Sequence, residues 1–140
     1  MRVLIVDDDP EIRGTLRVLL HEEGYEVSEA GDGAEALRLM FESAEPMVAL
    51  LDMRMPIMNG ETALMQALER DEVWARLSFI IMTANPQMSP RMGEVRERFG
   101  IPLLIKPFEL DDCIGMVEER AARLTGQPIV ERARRSGALS

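Results

Sequence analysis

Apolar positions along the chain fall into two alternating textures. Val3–Val6, Met47–Leu51, Phe79–Met82 and Leu103–Ile105 are short, unbroken apolar runs of strand length. Such runs are expected where both faces of a sheet are covered. Tyr25–Glu29 alternates apolar with polar residues instead, which predicts an edge strand. Between these runs, apolar residues recur at helical spacing. Ile12, Leu16, Leu19 and Leu20 form the first stripe, with Asp9 as N-cap, Pro10 at the first helical position and Gly24 as a left-handed stop. Leu37, Met40 and Phe41 mark a second helix after Gly31-Asp32-Gly33, and Leu64, Ala67 and Leu68 a third after Asn59-Gly60. Met88, Met92, Val95 and Phe99 mark a fourth, ended by Gly100. Leu110, Ile114, Val117, Ala121 and Leu124 mark a fifth.

Strand followed by helix, five times over, predicts an α/β domain: a five-stranded parallel sheet with helices on both faces and right-handed crossovers. No sequence repeat underlies the alternation. The periodicity fades near Thr125, so residues 1–124 read as the domain and 125–140 as a C-terminal tail or linker. There Gly126-Gln127-Pro128 breaks the last helix, and Arg132, Arg134 and Arg135 carry positive charge.

Ligands of open parallel sheets sit beyond the carboxyl ends of the strands. Asp7 and Asp8 follow the first strand, Asp52 ends the third, Thr83 and Ala84 end the fourth, and Lys106 ends the fifth. In the order 2-1-3-4-5 the first and third strands are neighbours at the switch point, and the three acids converge. Three carboxylates so close repel one another, and a divalent cation relieves the repulsion. Oxygen-only ligands favour Mg²⁺, or Mn²⁺, over zinc. Because Mg²⁺ binds through one or two carboxylates plus a phosphate oxygen, the site reads as one for a phosphoryl group. A carboxylate can accept that group as an aspartyl phosphate. Lys106 offers a cation, Thr83 a hydroxyl and Ala84 a backbone N–H to the transferred charge. Each residue alone has a plainer reading: Asp9 as a cap, Thr83 as a loop residue, Lys106 as a surface lysine. Their joint placement at four strand ends favours a site.

Composition narrows the picture. The length suits one domain, and a net charge of −9 argues against nucleic acid, whose phosphates call for clustered Lys and Arg. It argues against a membrane surface too, and no apolar run is long enough to span a bilayer. The opening residues do not form a signal peptide, so a cytoplasmic protein is the expectation. Cys113 is the only cysteine, His21 the only histidine and Lys106 the only lysine. This leaves no intramolecular disulfide, removes most histidine-based designs, and sets the single lysine apart. Cys113 reads as a small buried hydrophobe, His21 as exposed, Trp74 as packed between the third helix and fourth strand, and the many methionines as core filling.

Five stretches, in order and spacing, resemble the receiver domains of two-component response regulators. They are Val3 to Pro10, Leu50 to Pro56, Met58-Asn59-Gly60, Ile81-Met82-Thr83-Ala84 and Lys106-Pro107-Phe108. The resemblance covers residues 2–124 and implies a flavodoxin-like fold. It implies that Asp52 is the phosphoacceptor, with Asp8 and Asp52 as direct metal ligands, the Arg54 carbonyl as a third, and Asp7 acting through water. Thr83 would move to the phosphoryl oxygens, Lys106 would pair with them, and the Lys106–Pro107 bond would be cis. Arg54 and Asn85 would border the phosphoryl group and tune its lifetime. The implied partners are a sensor histidine kinase or phosphotransfer protein as donor, and a downstream protein or a missing output domain as target. A homodimer through the fourth and fifth helices is a further option. Turnover catalysis is not implied, only promotion of the chain's own phosphorylation and dephosphorylation. One position departs from the family: three residues before the lysine, where an aromatic switch residue is usual, stands Leu103. Coupling is then expected through the loop and helix around Gln87 to Met92.

Two alternatives carry different chemistry. A phosphorylation-independent interaction module would keep the fold and drop the reaction. A haloacid-dehalogenase-type phosphohydrolase would use Asp7-x-Asp9 as its nucleophile motif, with Thr83, Lys106 and Asp111-Asp112 completing the set. Glu11 stands where that motif usually has Thr or Val, and Asp111-Asp112 reads as the opening of a helix.

Overall fold

The computed structural model describes residues 1–53 and 58–126. Five strands, β1 (Arg2–Val6), β2 (Glu26–Ala30), β3 (Met47–Asp52), β4 (Leu77–Thr83) and β5 (Leu103–Ile105), form one sheet in the order β2-β1-β3-β4-β5. Every pairing is parallel. The connecting helices are α1 (Pro10–Glu22), α2 (Gly33–Glu42), α3 (Gly60–Leu68), α4 (Asp71–Trp74), α5 (Pro90–Phe99) and α6 (Leu110–Thr125). The sequence pattern predicts five helices; the additional α4 is a single turn, too short to show a period. The predicted fourth and fifth helices are therefore α5 and α6.

Period-2 alternation sorts the strand side chains into two cores. Leu4, Val6, Ala49, Leu51, Phe79 and Ile81 face α2, α3 and α5. Val3, Ile5, Val48, Leu50, Ile80 and Met82 face α1 and α6. Both faces being covered explains why β3 is buried along its whole length and why its sequence shows no alternation. β2 lies at the sheet edge, as its alternating sequence predicts. β5 lies at the other edge, and its continuous apolar run misleads: Ile105, the last residue of this edge strand, is 47% exposed.

Side-chain oxygens start four of the helices by accepting a backbone N–H: Asp9 from Glu11, Asp32 from Glu35, Asn59 from Thr62 and Ser89 from Met92. Gly24 and Gly100 stop α1 and α5 with φ of 95° and 62°, in the left-handed region where a Cβ is unfavourable. Trp74 borders a cavity with Leu68 and Leu77 near the amino end of β4. Its ring also meets Phe99 of α5 edge-on at 5.5 Å, a contact the sequence did not suggest. His21 is exposed and Cys113 is fully buried. Burial pushes the Cys113 thiol pKa up to about 12.

Candidate phosphoryl-acceptor and metal site

The strand register brings the polar residues together. Val6 lies opposite Leu51, so Asp7 comes level with Asp52. Asp52 lies opposite Met82, which sets Thr83 one step beyond it. Thr83 lies opposite Ile105, so Lys106 emerges next to the end of β4. The Lys106 N–H donates to the Thr83 carbonyl at 2.8 Å, and the Lys106–Pro107 peptide is cis.

Lys106 Nζ reaches back over the sheet edge, donating to Asp7 Oδ2 at 2.6 Å and Asp52 Oδ2 at 3.1 Å. Asp7 is fully buried and Asp52 nearly so, while Asp8 is exposed. One carboxylate oxygen from each of Asp7, Asp8 and Asp52 can be chosen so that all lie within 4.8 Å of one another. The set combines two buried acids with a third open to solvent, all of it hard oxygen. That donor set fits Mg²⁺, which prefers oxygen and retains waters. A soft thiolate or imidazole site would need Cys or His, and the single cysteine lies buried in the α6 core.

Burial works against the charge on Lys106, yet its hydrogen bonds and Coulomb attraction to Asp7 and Asp52 outweigh this and raise its pKa. The Asp7 loop is itself well held. Asp7 Oδ1 accepts the Asp9 N–H at 2.9 Å. Arg13 Nη1 donates to the Asp7 carbonyl at 2.6 Å, and Arg13 Nε to Glu29 at 3.3 Å. Arg13 is a supporting residue that sequence reasoning missed. Its only sequence signal is a basic residue on α1 opposite an acid on the edge strand.

Thr83 is buried, and its hydroxyl is already engaged: it donates to the Asn85 carbonyl at 2.9 Å and accepts the Asn85 N–H at 3.1 Å. Ala84 is exposed and borders a cavity with Lys106, Pro107, Ile12 and Phe108. Two glycines bring the chain close to the site. A Cβ on Gly60 would stand 2.0 Å from the Asp52 carbonyl oxygen, and one on Gly33 2.5 Å from the Met58 carbonyl oxygen. Only glycine permits either approach. Arg54, expected to offer its carbonyl to the metal, and Met55 lie outside the described residues, as does the tail beyond Gly126.

The dehalogenase-type arrangement is not assembled here. Asp9 caps α1, and Asp111 and Asp112 are exposed in the first turn of α6. Leu103, at the usual aromatic position, starts β5 opposite Ile81 and packs half-buried against the α5-side core.

A parallel 2-1-3-4-5 sheet, with an acid cluster and a lysine at its carboxyl edge, defines a class of signalling domain. The pattern of the response regulator receiver domain matches residues 3–118, and the chain belongs to that family. A response regulator receiver domain protein (CheY-like) from Methanospirillum hungatei superposes with a TM-score of 0.78 at 25% identity, covering 90% of this chain and 98% of that one. Transcriptional regulatory protein PdtaR of Mycobacterium tuberculosis is 33% identical over 123 residues, which is 87% of this chain and 57% of that protein. Sensor histidine kinase TmoS of Ectopseudomonas mendocina is 37% identical over 107 residues, 76% of this chain and 11% of that protein. The chain thus spans from about a tenth to somewhat over half of these two curated relatives. Among the described residues, no helix is long and apolar enough to cross a membrane.

Proposed function

We propose that this receiver domain is a phosphorylation-controlled switch whose acceptor is Asp52. The observation that carries this reading is Lys106 Nζ held at 2.6 and 3.1 Å from Asp7 and Asp52, beside three carboxylates that can share one cation. In the reaction, a carboxylate oxygen of Asp52 attacks the phosphorus of a phosphohistidine on a kinase or phosphotransfer protein. The new O–P bond forms as the N–P bond breaks, and the imidazole departs with the bonding electron pair. Asp8 and Asp52 would hold Mg²⁺ directly and Asp7 through water. When bound, the ion neutralises charge on the phosphoryl oxygens. Lys106 swings from Asp52 Oδ2 to those oxygens, the Ala84 N–H donates to one of them, and Thr83 gives up Asn85 to donate to another. The product adds about −1.5 to −2 charges to the sheet edge, which reshapes the face around β5, α5 and α6 that a downstream protein or output domain reads.

Incubating the protein with MgCl₂ and acetyl phosphate and measuring its intact mass tests the reading. A phosphoryl increment is expected in the wild type and none in Asp52→Asn. EDTA should abolish it. The absence of an increment from both acetyl phosphate and a kinase would sink the acceptor assignment. Leu103, which has no hydroxyl to turn outward, would then favour an interaction module that works without phosphate.

A further inference from the structure

The Thr83 hydroxyl has one proton, and Asn85 holds it. Donation to a phosphoryl oxygen therefore requires the turn at Asn85 to open. That turn is the first link of a longer chain. Asn85 Oδ1 accepts the Gln87 N–H at 3.0 Å. Two residues on, Ser89 Oγ accepts the Met92 N–H at 3.1 Å and donates its own proton to Glu61 Oε1 of α3. The segment from Thr83 to Ser89 is thus fastened at one end to its own backbone turn and at the other to a carboxylate on a separate helix. The segment and Glu61 together border a cleft of about 170 Å³ that Met53, Asn59, Met88 and Met92 also line. The cleft leaves the segment free to shift, and methionine walls adapt readily to such a change. Leu103 leaves β5 without an aromatic hydroxyl to coordinate with Thr83, and the Glu61 tie holds the far end of this loop from another element.

We infer that Glu61 is a positioning residue for phosphoryl acceptance. By holding Ser89 it keeps the Thr83–Ser89 segment in the arrangement that occupies the Thr83 hydroxyl, and it thereby sets how readily Thr83 is released to the phosphoryl group. This rests on the acceptor assignment of Asp52. A ligand-free protein that must break this tie reacts more slowly than one that has already lost it.

Two properties of Glu61 have to be separated: its hydrogen bond to Ser89 and its charge near an anionic donor. Three variants of the full chain do so, compared by initial rate of phosphorylation with MgCl₂ and acetyl phosphate. Glu61→Ala removes both and should react about fivefold faster, the effect of losing one solvent-exposed hydrogen bond of ordinary net strength. Glu61→Gln removes the charge but keeps an acceptor for Ser89, and should stay within about twofold of wild type. Ser89→Asp keeps an oxygen to cap α5 but sets like charges opposite each other, and should also react faster although it makes the site more negative. In the unphosphorylated protein, hydrogen exchange at the Asn85 amide, which Thr83 Oγ1 accepts, should speed up in Glu61→Ala and Ser89→Asp and not in Glu61→Gln. The tie is refuted if Glu61→Gln matches Glu61→Ala, if Ser89→Asp slows the reaction, or if Asn85 exchange is the same in all four proteins. Wild-type protein that takes no phosphoryl group overturns the acceptor assignment itself; labelled wild type with unresponsive variants overturns the tie alone.

Discussion

Lys106 is a cation held between two buried acids. Its pKa is raised in the folded protein, so its contribution to stability is complete below the ordinary lysine value of about 10.4 and is lost as pH rises through the higher folded value. Lys106→Met leaves the Asp7 and Asp52 carboxylates short of a donor. In metal-free buffer near neutral pH it should destabilise the fold by roughly 1–3 kcal/mol. Urea unfolding from pH 8 upward checks the sign: the gap between variant and wild type should narrow only above about pH 10.4. No gap at pH 8, or a gap that does not narrow above about pH 10.4, would show that the lysine is not a stabilising partner. Gly60 works by what it lacks. Any side chain there collides with the Asp52 carbonyl, so Gly60→Ala must shift α3 or the end of β3. Overpacking of this kind costs about 1–3 kcal/mol, and thermal unfolding should show the loss together with slower phosphorylation of Asp52.

Elements show how far the sequence could be read. The buried strands β1, β3 and β4 were legible because an unbroken apolar run has one good explanation between two helix layers. Helix starts were legible where Asp9 with Pro10, and the turn at Asn59-Gly60, mark them; the Ser89 cap of α5 was not read. The single turn of α4 and the exposed outer face of β5 were not, since neither leaves a pattern longer than a few residues. Within the site, Asp7, Asp8, Asp52 and Lys106 could be grouped because strand ends are predictable from topology. The engagement of Thr83 with Asn85 and of Glu61 with Ser89 could not, because side-chain rotamers in loops follow local geometry that no periodicity encodes. The cap role of Asp9 gives a test at this scale. Asp9→Ala should cost about 1 kcal/mol and Asp9→Ser only a few tenths, read by urea unfolding, while both keep Asp52 labelling by acetyl phosphate. Loss of labelling in Asp9→Ser would instead assign Asp9 to the chemistry.

Across the whole molecule, the two cores are stitched together by the sheet, so the deepest side chains become accessible only when the domain opens. Cys113 reports that opening. It is fully buried among Val3, Ile5, Leu20, Val48 and Val117 on the α1–α6 side, and burial raises its thiol pKa to about 12. Both facts oppose reaction, since the thiolate is the nucleophile. An ordinary thiol has a pKa of about 8.5, so a chain that opens at pH 9 exposes a largely ionised group, whereas the folded chain offers almost none. The sign for stability follows: the neutral thiol favours the fold fully below about pH 8.5 and progressively less as pH climbs toward the folded value. Reaction with a disulfide reagent at pH 8 should therefore proceed at a rate set by global unfolding. It should rise with urea in step with the loss of helical signal, and fall when MgCl₂ occupies the acid cluster, because a ligand bound only to the folded state suppresses opening. Fast labelling that ignores urea and magnesium would mean that the α1–α6 core opens independently of the acceptor site. The two ends of the sheet would then not act as one cooperative unit.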